Sequence, residues 1–218
     1  MKTAQLQKIA LFKEIEKDEL HAALHFLNAH QASYQKSEHL VNIGDQWTEA
    51  GLVLSGEVEA SCVIENFHKI TLNHYLPGQV FDPAFATAGA KSPMLVSALS
   101  GCEILWLNLQ RLNDVASLKE HYRQQLATNL IHLLAQQGIQ TTMKLHVASQ
   151  GTIHDKLLAY LHTLPAVDQA GNRRLPFNQT ELAEHLGVNR SALSRAIHKM
   201  KTDGVLKIDG RQVRVLKH

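Results

Sequence analysis

The segment NQTELAEHLGVNRSALSRAIHKM, residues 178–200, predicts two short helices joined by a tight turn. Asn178 is a favourable N-cap, and Glu181 three residues later completes a capping box. Gly187 stands where the chain must turn sharply, at a position that favours a residue able to adopt positive φ. Because Asn189 can cap a second helix, the pattern predicts a helix-turn-helix. The alternative is a helical hairpin with a solvated charged face.

The second of these helices is amphipathic. Apolar residues recur at helical spacing and would face a core: Leu193, Ile197 and Met200. Polar residues with hydrogen-bond donors fall on the other side, in the first turns: Arg190, Ser191, Ser194 and Arg195. A recognition helix presents such side chains to base edges in the major groove of DNA, so this face is the candidate for reading DNA.

The residues that follow predict a β-hairpin. Gly204 ends the second helix, and Asp209-Gly210 then separates two alternating runs, 205–208 and 211–216. Asp-Gly between alternating runs is a strong hairpin signal, so the C-terminal part is predicted to be a winged helix.

Positive charge is concentrated in the same region. Residues 178–218 hold eight Lys and Arg against four Asp and Glu, whereas the rest of the chain holds 14 against 16. Phosphate binding requires such a local excess of cations, which the formal net charge of +2 for the whole chain conceals.

Composition limits the classes of protein that remain. The 218 residues suit one large domain or two small ones, and 44% of them are hydrophobic, enough for a packed core. No apolar run approaches about 18 residues, and no signal peptide is recognisable, so we expect a cytoplasmic protein. Two cysteines suit a reducing compartment. The 14 histidines do not cluster at ligand spacing, so we expect no metal site.

The chain divides into three predicted parts, 1–107, 108–148 and 149–218. Short alternating runs punctuated by glycine make the first part strand-rich, as in an antiparallel roll or barrel. The second part, from Leu109 to about Ala148, is predicted to be mostly helical. The third part is the winged helix, and the fold class is therefore α+β.

A leucine stripe on the long helix predicts a homodimer. A helix of this length cannot bury its stripe inside a small roll, so the leucines could pack against a second copy, as in a coiled coil. Otherwise the helix lies on its own domain. The residues predicted at the dimer interface are Leu126, Leu130, Leu133 and Leu134.

This order of parts resembles the CRP/FNR family of bacterial transcription regulators. Matching features are the opening LFKEIEKDEL, the glycines Gly44 and Gly56, the YLPGQVF run, and above all ELAEHLGVNRSALSRAIHKMKTDGVL. The resemblance implies a cyclic-nucleotide-binding-type β-roll, a dimerisation helix, and double-stranded DNA with a palindromic operator as partner. RNA polymerase would be a further partner of an activator. The implied DNA-contacting residues are Gln179, Asn189, Arg190, Ser191, Ser194, Arg195, Lys199 and Arg211.

The departures from the family pattern concern the signal. In the cyclic-AMP-binding members a glutamate accepts a hydrogen bond from the ribose hydroxyl, and Pro83 and Ala84 replace this glutamate and the residue beside it. Ser92 and Pro93 stand near the position of the expected arginine, with Lys91 as the nearest cation. A buried phosphate without a paired cation is costly, so we expect no cyclic AMP binding. The candidate pocket residues for some other effector are Phe81, Asp82, Lys91, Ser92, Leu134 and Gln137.

Several possibilities for the signal remain open from the sequence. Two cysteines are too few for the iron–sulfur cluster of some family members. A haem held through His68 or His74 is possible, and so is a roll that serves only as a scaffold. No nucleophile elbow, P-loop or paired-carboxylate motif points to catalysis, so we expect a regulator rather than an enzyme with an attached DNA-binding domain.

Overall fold

The computed structural model describes residues 6–64, 68–114, 116 and 118–216. They form two compact units, 1–135 and 136–218. The strands are His30–Tyr34 (β1), His39–Val41 (β2), Ala50–Ser55 (β3), Val58–Ile64 (β4), His68–Tyr75 (β5), Val80–Phe81 (β6), Leu95–Ala98 (β7), Cys102–Leu107 (β8), Arg173–Arg174 (β9), Leu206–Asp209 (β10) and Gln212–Val215 (β11). The α-helices are Leu20–Phe26 (α1), Pro83–Ala88 (α2), His121–Ala148 (α3), Ile153–Thr163 (α4), Gln179–His185 (α5) and Arg190–Thr202 (α6).

The first unit contains two antiparallel four-stranded sheets, with strand orders β1-β8-β3-β6 and β2-β7-β4-β5. Apolar residues at alternate positions of these strands form its core, because successive side chains of a strand point to opposite faces. On β4, for example, Val58 and Ala60 are both fully buried. The predicted antiparallel roll is confirmed.

Aromatic rings fill the interior of this roll. Phe81 is fully buried, and its ring lies 5.4 Å from Trp106, 5.8 Å from Tyr75 and 6.5 Å from Trp47, measured between centroids. Gly51 on β3 makes room for it, because a Cβ at that position would overlap the Phe81 ring. The interior is therefore occupied by the protein's own side chains.

The short helix α2 follows β6 through an unusual backbone conformation. Asp82, which precedes α2, has φ of 43° and lies in the left-handed region. The 3-10 helix Leu109–Asn113 holds α2 in place: Gln110 Nε2 donates to the Ala86 carbonyl at 3.2 Å, and Asn113 Nδ2 donates to the Thr87 carbonyl at 2.9 Å.

The long helix α3 begins at His121, later than the sequence predicted, because a 3-10 helix occupies Leu109–Asn113 and a turn occupies residues 118–119. The first half of α3 belongs to the first unit and the second half to the second unit. Asn129 fixes the first half, since its buried side chain donates from Nδ2 to the carbonyls of Leu11 at 3.0 Å and Lys13 at 2.8 Å.

The second unit contains α4, α5, α6 and the three-stranded antiparallel sheet β10-β11-β9. Its core includes Leu157 and Leu161 from α4, Leu182 from α5 and Leu193 from α6, all at most 1% exposed. The predicted helix-turn-helix and hairpin are confirmed. Strand β9 extends the hairpin to three strands and was not predicted.

Candidate nucleic-acid interface

The helix α6 has one buried and one exposed side. Leu193 and Met200 are 0% and 2% exposed and anchor the helix in the core of the second unit. The predicted DNA-contacting residues of this helix are all exposed, at Arg190, Ser191, Ser194, Arg195 and Lys199. The exposed side therefore presents two guanidinium groups, two hydroxyls and an ammonium group to solvent.

Side-chain caps fix the start of both helices in the motif. Asn178 Oδ1 accepts from the backbone N–H of Thr180 at 2.9 Å and of Glu181 at 3.0 Å, and Glu181 accepts from the Asn178 N–H at 2.7 Å. This is the predicted capping box. Asn189 caps α6 in turn, and Gly187 between the helices has φ of 62°. The two caps fix where each helix begins, and the positive φ of Gly187 allows the chain to turn between them.

A ring cluster supports the end of α5. His185 lies 4.9 Å from Tyr160 and 4.8 Å from Phe177, between ring centroids. Burial against these rings lowers the pKa of His185 below its ordinary value of 6.5, and the nearby Lys144 ammonium lowers it further. Both effects disfavour the protonated imidazole, although His185 keeps part of its surface exposed.

Three cations share one face of the sheet formed by β9, β10 and β11. Lys207 is the cross-strand partner of Arg214, and Arg174 is the cross-strand partner of Gln212. Gln212 and Arg214 are two residues apart on β11, so their side chains lie on the same face of the sheet. All three cations are exposed. Asp209 shares this face, and the Arg214 guanidinium helps to lower the pKa of Asp168, so the face carries three cations with two carboxylates on or beside it.

Sequence reasoning missed Arg174. The residue lies on a two-residue strand that pairs with β11, and a strand this short shows no alternation by which to recognise it. The predicted contact Arg211 is exposed in the turn between β10 and β11, and its carbonyl accepts from the Leu175 N–H at 2.8 Å. Gln179 is exposed at the first position of α5.

The four leucines predicted at a dimer interface fall into two groups. Leu126 and Leu130 are 0% and 5% exposed in the core of the first unit, so the single chain already buries them. Leu133 and Leu134 are half-buried against the same core. Helical periodicity identified one face of α3, and that face packs onto the roll. The exposed apolar residues of α3 are Ile131, Ile139, Met143 and Leu145.

The predicted effector-pocket residues differ in their burial. Phe81 belongs to the aromatic core, and Asp82 and Leu134 are half-buried. Lys91 is exposed. Ser92 is buried, and its hydroxyl donates to the Met94 carbonyl at 2.6 Å. The remaining candidate, Gln137, lies on the half of α3 that belongs to the second unit.

Two family models match the chain on either side of the long helix. Residues 31–118 match the cyclic nucleotide-binding domain, and residues 155–218 match the Crp-like helix-turn-helix domain. This combination matches the order of the two units described above. The chain belongs to the CRP/FNR family of transcription regulators.

Known CRP/FNR proteins resemble the chain over most of its length. The transcriptional activator protein FnrA of Stutzerimonas stutzeri is 22% identical over 190 residues, which cover 84% of this chain and 75% of FnrA. The Thermus thermophilus catabolite activator protein is 21% identical, with a TM-score of 0.54 and coverage of 94% of this chain and 93% of that chain. A CooA variant from Carboxydothermus hydrogenoformans is 18% identical, with a TM-score of 0.61 and coverage of 90% of this chain and 86% of the CooA chain.

The CRP/FNR roll of this chain does not fit a cyclic nucleotide. A cyclic phosphate inside the roll needs a cation, but Lys91 is exposed and Ser92 uses its hydroxyl within the chain. The rings of Phe81, Trp47 and Phe85 pack against one another in the interior, with Trp47 stacked on Phe85 at 5.6 Å. The candidate positions therefore provide no buried cation to pair with the cyclic phosphate.

Two further observations concern metals and membranes. Among the described residues, no three His, Cys, Asp or Glu side chains are grouped so as to hold a metal ion. His74 contacts the Glu57 carboxylate at 3.1 Å, and the side chain of His68 lies outside the described residues. No helix in the described part of the chain is long and apolar enough to span a membrane.

Proposed function

We propose that the chain is a homodimeric, sequence-specific DNA-binding regulator that inserts α6 of each copy into the major groove of a palindromic operator. The observation that carries this proposal is the exposed polar side of α6. Arg190, Ser191, Ser194 and Arg195 all lie on the first turns of a helix whose opposite side is anchored in a core. Guanidinium groups in such a position donate to guanine, and hydroxyls contact several bases.

The charged face of the three-stranded sheet supplies the second contact. Arg174, Lys207 and Arg214 can bind phosphate oxygens without regard to sequence, which positions the recognition helix on the duplex. Base contacts and phosphate contacts would thus come from different elements of the same unit.

Exposed apolar residues on α3 support self-association. Ile131, Ile139, Met143 and Leu145 are between 46% and 67% exposed in the single chain. Ile139 and Met143 are four residues apart and therefore lie on one side of the helix. Burying this surface against the same helix of a second copy would place two recognition helices on two half-sites, as helix-turn-helix dimers require.

Selection of bound duplexes from a random pool tests this proposal. We expect the full-length protein to enrich two inverted half-sites whose centres lie about one helical turn of DNA apart. Sedimentation of the protein with the selected duplex should give two chains per duplex. Failure to enrich any sequence over random competitor, or one chain per duplex, would contradict the proposal.

The signal for this regulator would act on the first unit. A cleft of about 250 Å³ opens beside Trp47 and Trp106 and is also lined by His30, Tyr34 and Glu49. Residues of β1 and β2 line the cleft, and these two strands are edge strands of the two sheets. The Nε1 of Trp47 is buried and has no acceptor among the described residues.

A roll that serves only as a scaffold is the second candidate function for this unit. The packed interior around Phe81 favours it, because the chain's own aromatic side chains occupy that part of the roll. In that case the protein would bind its operator without any effector.

Thermal melting against a panel of metabolites separates these two candidates. A ligand that binds only the folded state raises its melting temperature in proportion to the logarithm of ligand concentration. A sensing roll should respond to at least one class of compound, and operator affinity should change with it. Unchanged melting across the panel, together with tight operator binding by the purified protein, would favour the scaffold. The visible absorption spectrum of the protein would reveal a haem.

A further inference from the structure

The N-cap of α6 fixes the direction of the hydrogen bonds at the start of the recognition helix. Asn189 Oδ1 lies 2.9 Å from the backbone nitrogen of Ser191 and 2.6 Å from Ser191 Oγ. A backbone N–H can only donate, so the atom of Asn189 that faces it must be the carbonyl oxygen and not the amide nitrogen. That oxygen carries no hydrogen, and the Ser191 hydroxyl must therefore be the donor in the second bond.

This bond determines what Ser191 can offer to a partner. A hydroxyl has one hydrogen and two acceptor lone pairs. With the hydrogen directed at Asn189, the exposed oxygen of Ser191 presents only lone pairs outward. Ser194, three residues later, differs, because its exposed hydroxyl has no acceptor among the described residues and can donate or accept.

We propose that Ser191 acts only as a hydrogen-bond acceptor in the DNA interface and therefore selects a base with an exocyclic amino group in the major groove. Cytosine N4 and adenine N6 are the two such groups, whereas guanine O6 and thymine O4 are acceptors and offer Ser191 no hydrogen. Asn189 then sets specificity without touching the base, as a positioning residue. This inference rests on the proposed function, since it assigns one base pair within the half-site.

Removing single functional groups from the operator tests the assignment. The first step is to find, by selection from random duplexes, the base pair at which S191A loses discrimination. At that pair, one duplex then lacks the exocyclic amino group, with 2-pyrimidinone for cytosine or purine for adenine. A second duplex lacks the keto oxygen of the paired base, with 2-aminopurine for guanine or 5-methyl-2-pyrimidinone for thymine.

The wild-type protein should lose affinity on the order of 2- to 10-fold when the amino group is removed, as expected for one hydrogen bond. S191A should lose only the affinity that the altered duplex itself costs, and this loss is the same for both proteins. Removal of the keto oxygen should affect the wild type and S191A equally.

Two variants of the cap separate reading from folding. N189D keeps acceptor oxygens for both cap bonds, so the dependence on the amino group should persist even though the added negative charge lowers overall affinity. N189G should leave the helix folded, because glycine is well tolerated at an N-cap. It frees the Ser191 hydroxyl, so the dependence on the amino group should weaken. T202A removes a hydroxyl from the last turn of the same helix, is the matched control, and should leave this dependence unchanged.

Three results would overturn the inference while leaving the proposed function in place. One is a wild-type protein that depends on the keto oxygen rather than the amino group. Another is an S191A protein with unaltered preference at every position, and the third is N189G with the wild-type dependence. If the wild type enriches no duplex, the proposed function fails, and the inference fails with it.

Discussion

The ring of Phe81 lies in the space that a side chain at Gly51 would occupy. The two residues are cross-strand partners on β3 and β6, so the overlap is fixed by strand pairing rather than by a flexible contact. Phe81 also contacts the rings of Trp47, Tyr75 and Trp106. The absence of a side chain at Gly51 therefore allows this aromatic cluster to fill the interior of the roll.

Replacing Gly51 with alanine should therefore destabilise the first unit. The added methyl group must displace a fully buried ring, and overpacking of this kind typically costs about 1–3 kcal/mol. Urea unfolding followed by far-ultraviolet circular dichroism measures the change. G138A is the matched control: Gly138 lies within α3, and a Cβ there meets nothing within 4 Å. Alanine at that site should stabilise the helix by roughly 0.5–1 kcal/mol. Equal stability of G51A and the wild type would show that the interior is more loosely packed than described.

Removing the guanidinium of Arg195 should relax specificity at one base pair. A bidentate contact with guanine contributes about 1–3 kcal/mol of discrimination, so R195A should lose that amount for the selected operator and little for random DNA. Competition binding with both kinds of duplex gives the two values. K201A removes a cation from the same helix and should leave specificity intact. A uniform loss on all sequences in R195A would make Arg195 a phosphate contact.

The cations of the three-stranded sheet should control the salt dependence of binding. Neutralising one cation that binds a phosphate reduces the slope of log affinity against log salt by about 1, so K207Q, R214Q and R174Q should each flatten it. The preferred sequence should not change, because phosphates carry no sequence information. K36Q, which removes an exposed charge from the first unit, is the matched control. A wild-type slope in R174Q would remove β9 from the interface.

A charge on the exposed side of α3 should prevent dimerisation. Ile139 is 56% exposed in the single chain, so I139E leaves the folded monomer intact but would bury a carboxylate at an apolar interface. Sedimentation velocity should show monomers, with weaker operator binding as a consequence. Q140E is the control, because it adds the same charge at an exposed neighbouring position on a different side of the helix and should leave the dimer intact. Dimers that persist in I139E would place the interface elsewhere.

The stability of the second unit should fall as the solution is acidified. The pKa of His185 is lower in the folded state than its ordinary value of 6.5, first because of burial and then because of Lys144. The unfolded chain therefore binds the proton more tightly, and stability is lost as the pH falls below about 6.5. H185Q should show a smaller loss of urea stability between pH 7.5 and pH 5 than the wild type. K144Q should keep most of the loss, because burial is the larger cause. Parallel curves for H185Q and the wild type would contradict this assignment.

The sequence predicted the parts of this molecule that local chemistry specifies. The caps Asn178 and Asn189, the turn at Gly187 and the Asp209-Gly210 hairpin each depend on residues a few positions apart, and the structure confirms them. Alternation of apolar residues also sufficed to predict the roll.

Contacts between distant segments were beyond such reasoning. Nothing near Phe81 in the sequence indicates that its ring would lie over Gly51, 30 positions earlier. Strand β9 depends on pairing with β11, a segment about 40 positions later in the chain. The leucine stripe of α3 was recognised, but periodicity identifies a face and not what covers that face. Leu126 and Leu130 therefore proved to be part of the core of a single chain.

The aromatic interior of the roll has a practical consequence. Trp47 and Trp106 are the only two tryptophans in the sequence, and both flank Phe81 in the first unit. Intrinsic fluorescence excited at the red edge of indole absorption therefore comes from that unit alone, and the DNA-binding unit emits nothing at those wavelengths. A single tryptophan introduced into the second unit would make its unfolding visible as well, so that the cooperativity between the two halves of the regulator could be measured in the intact chain.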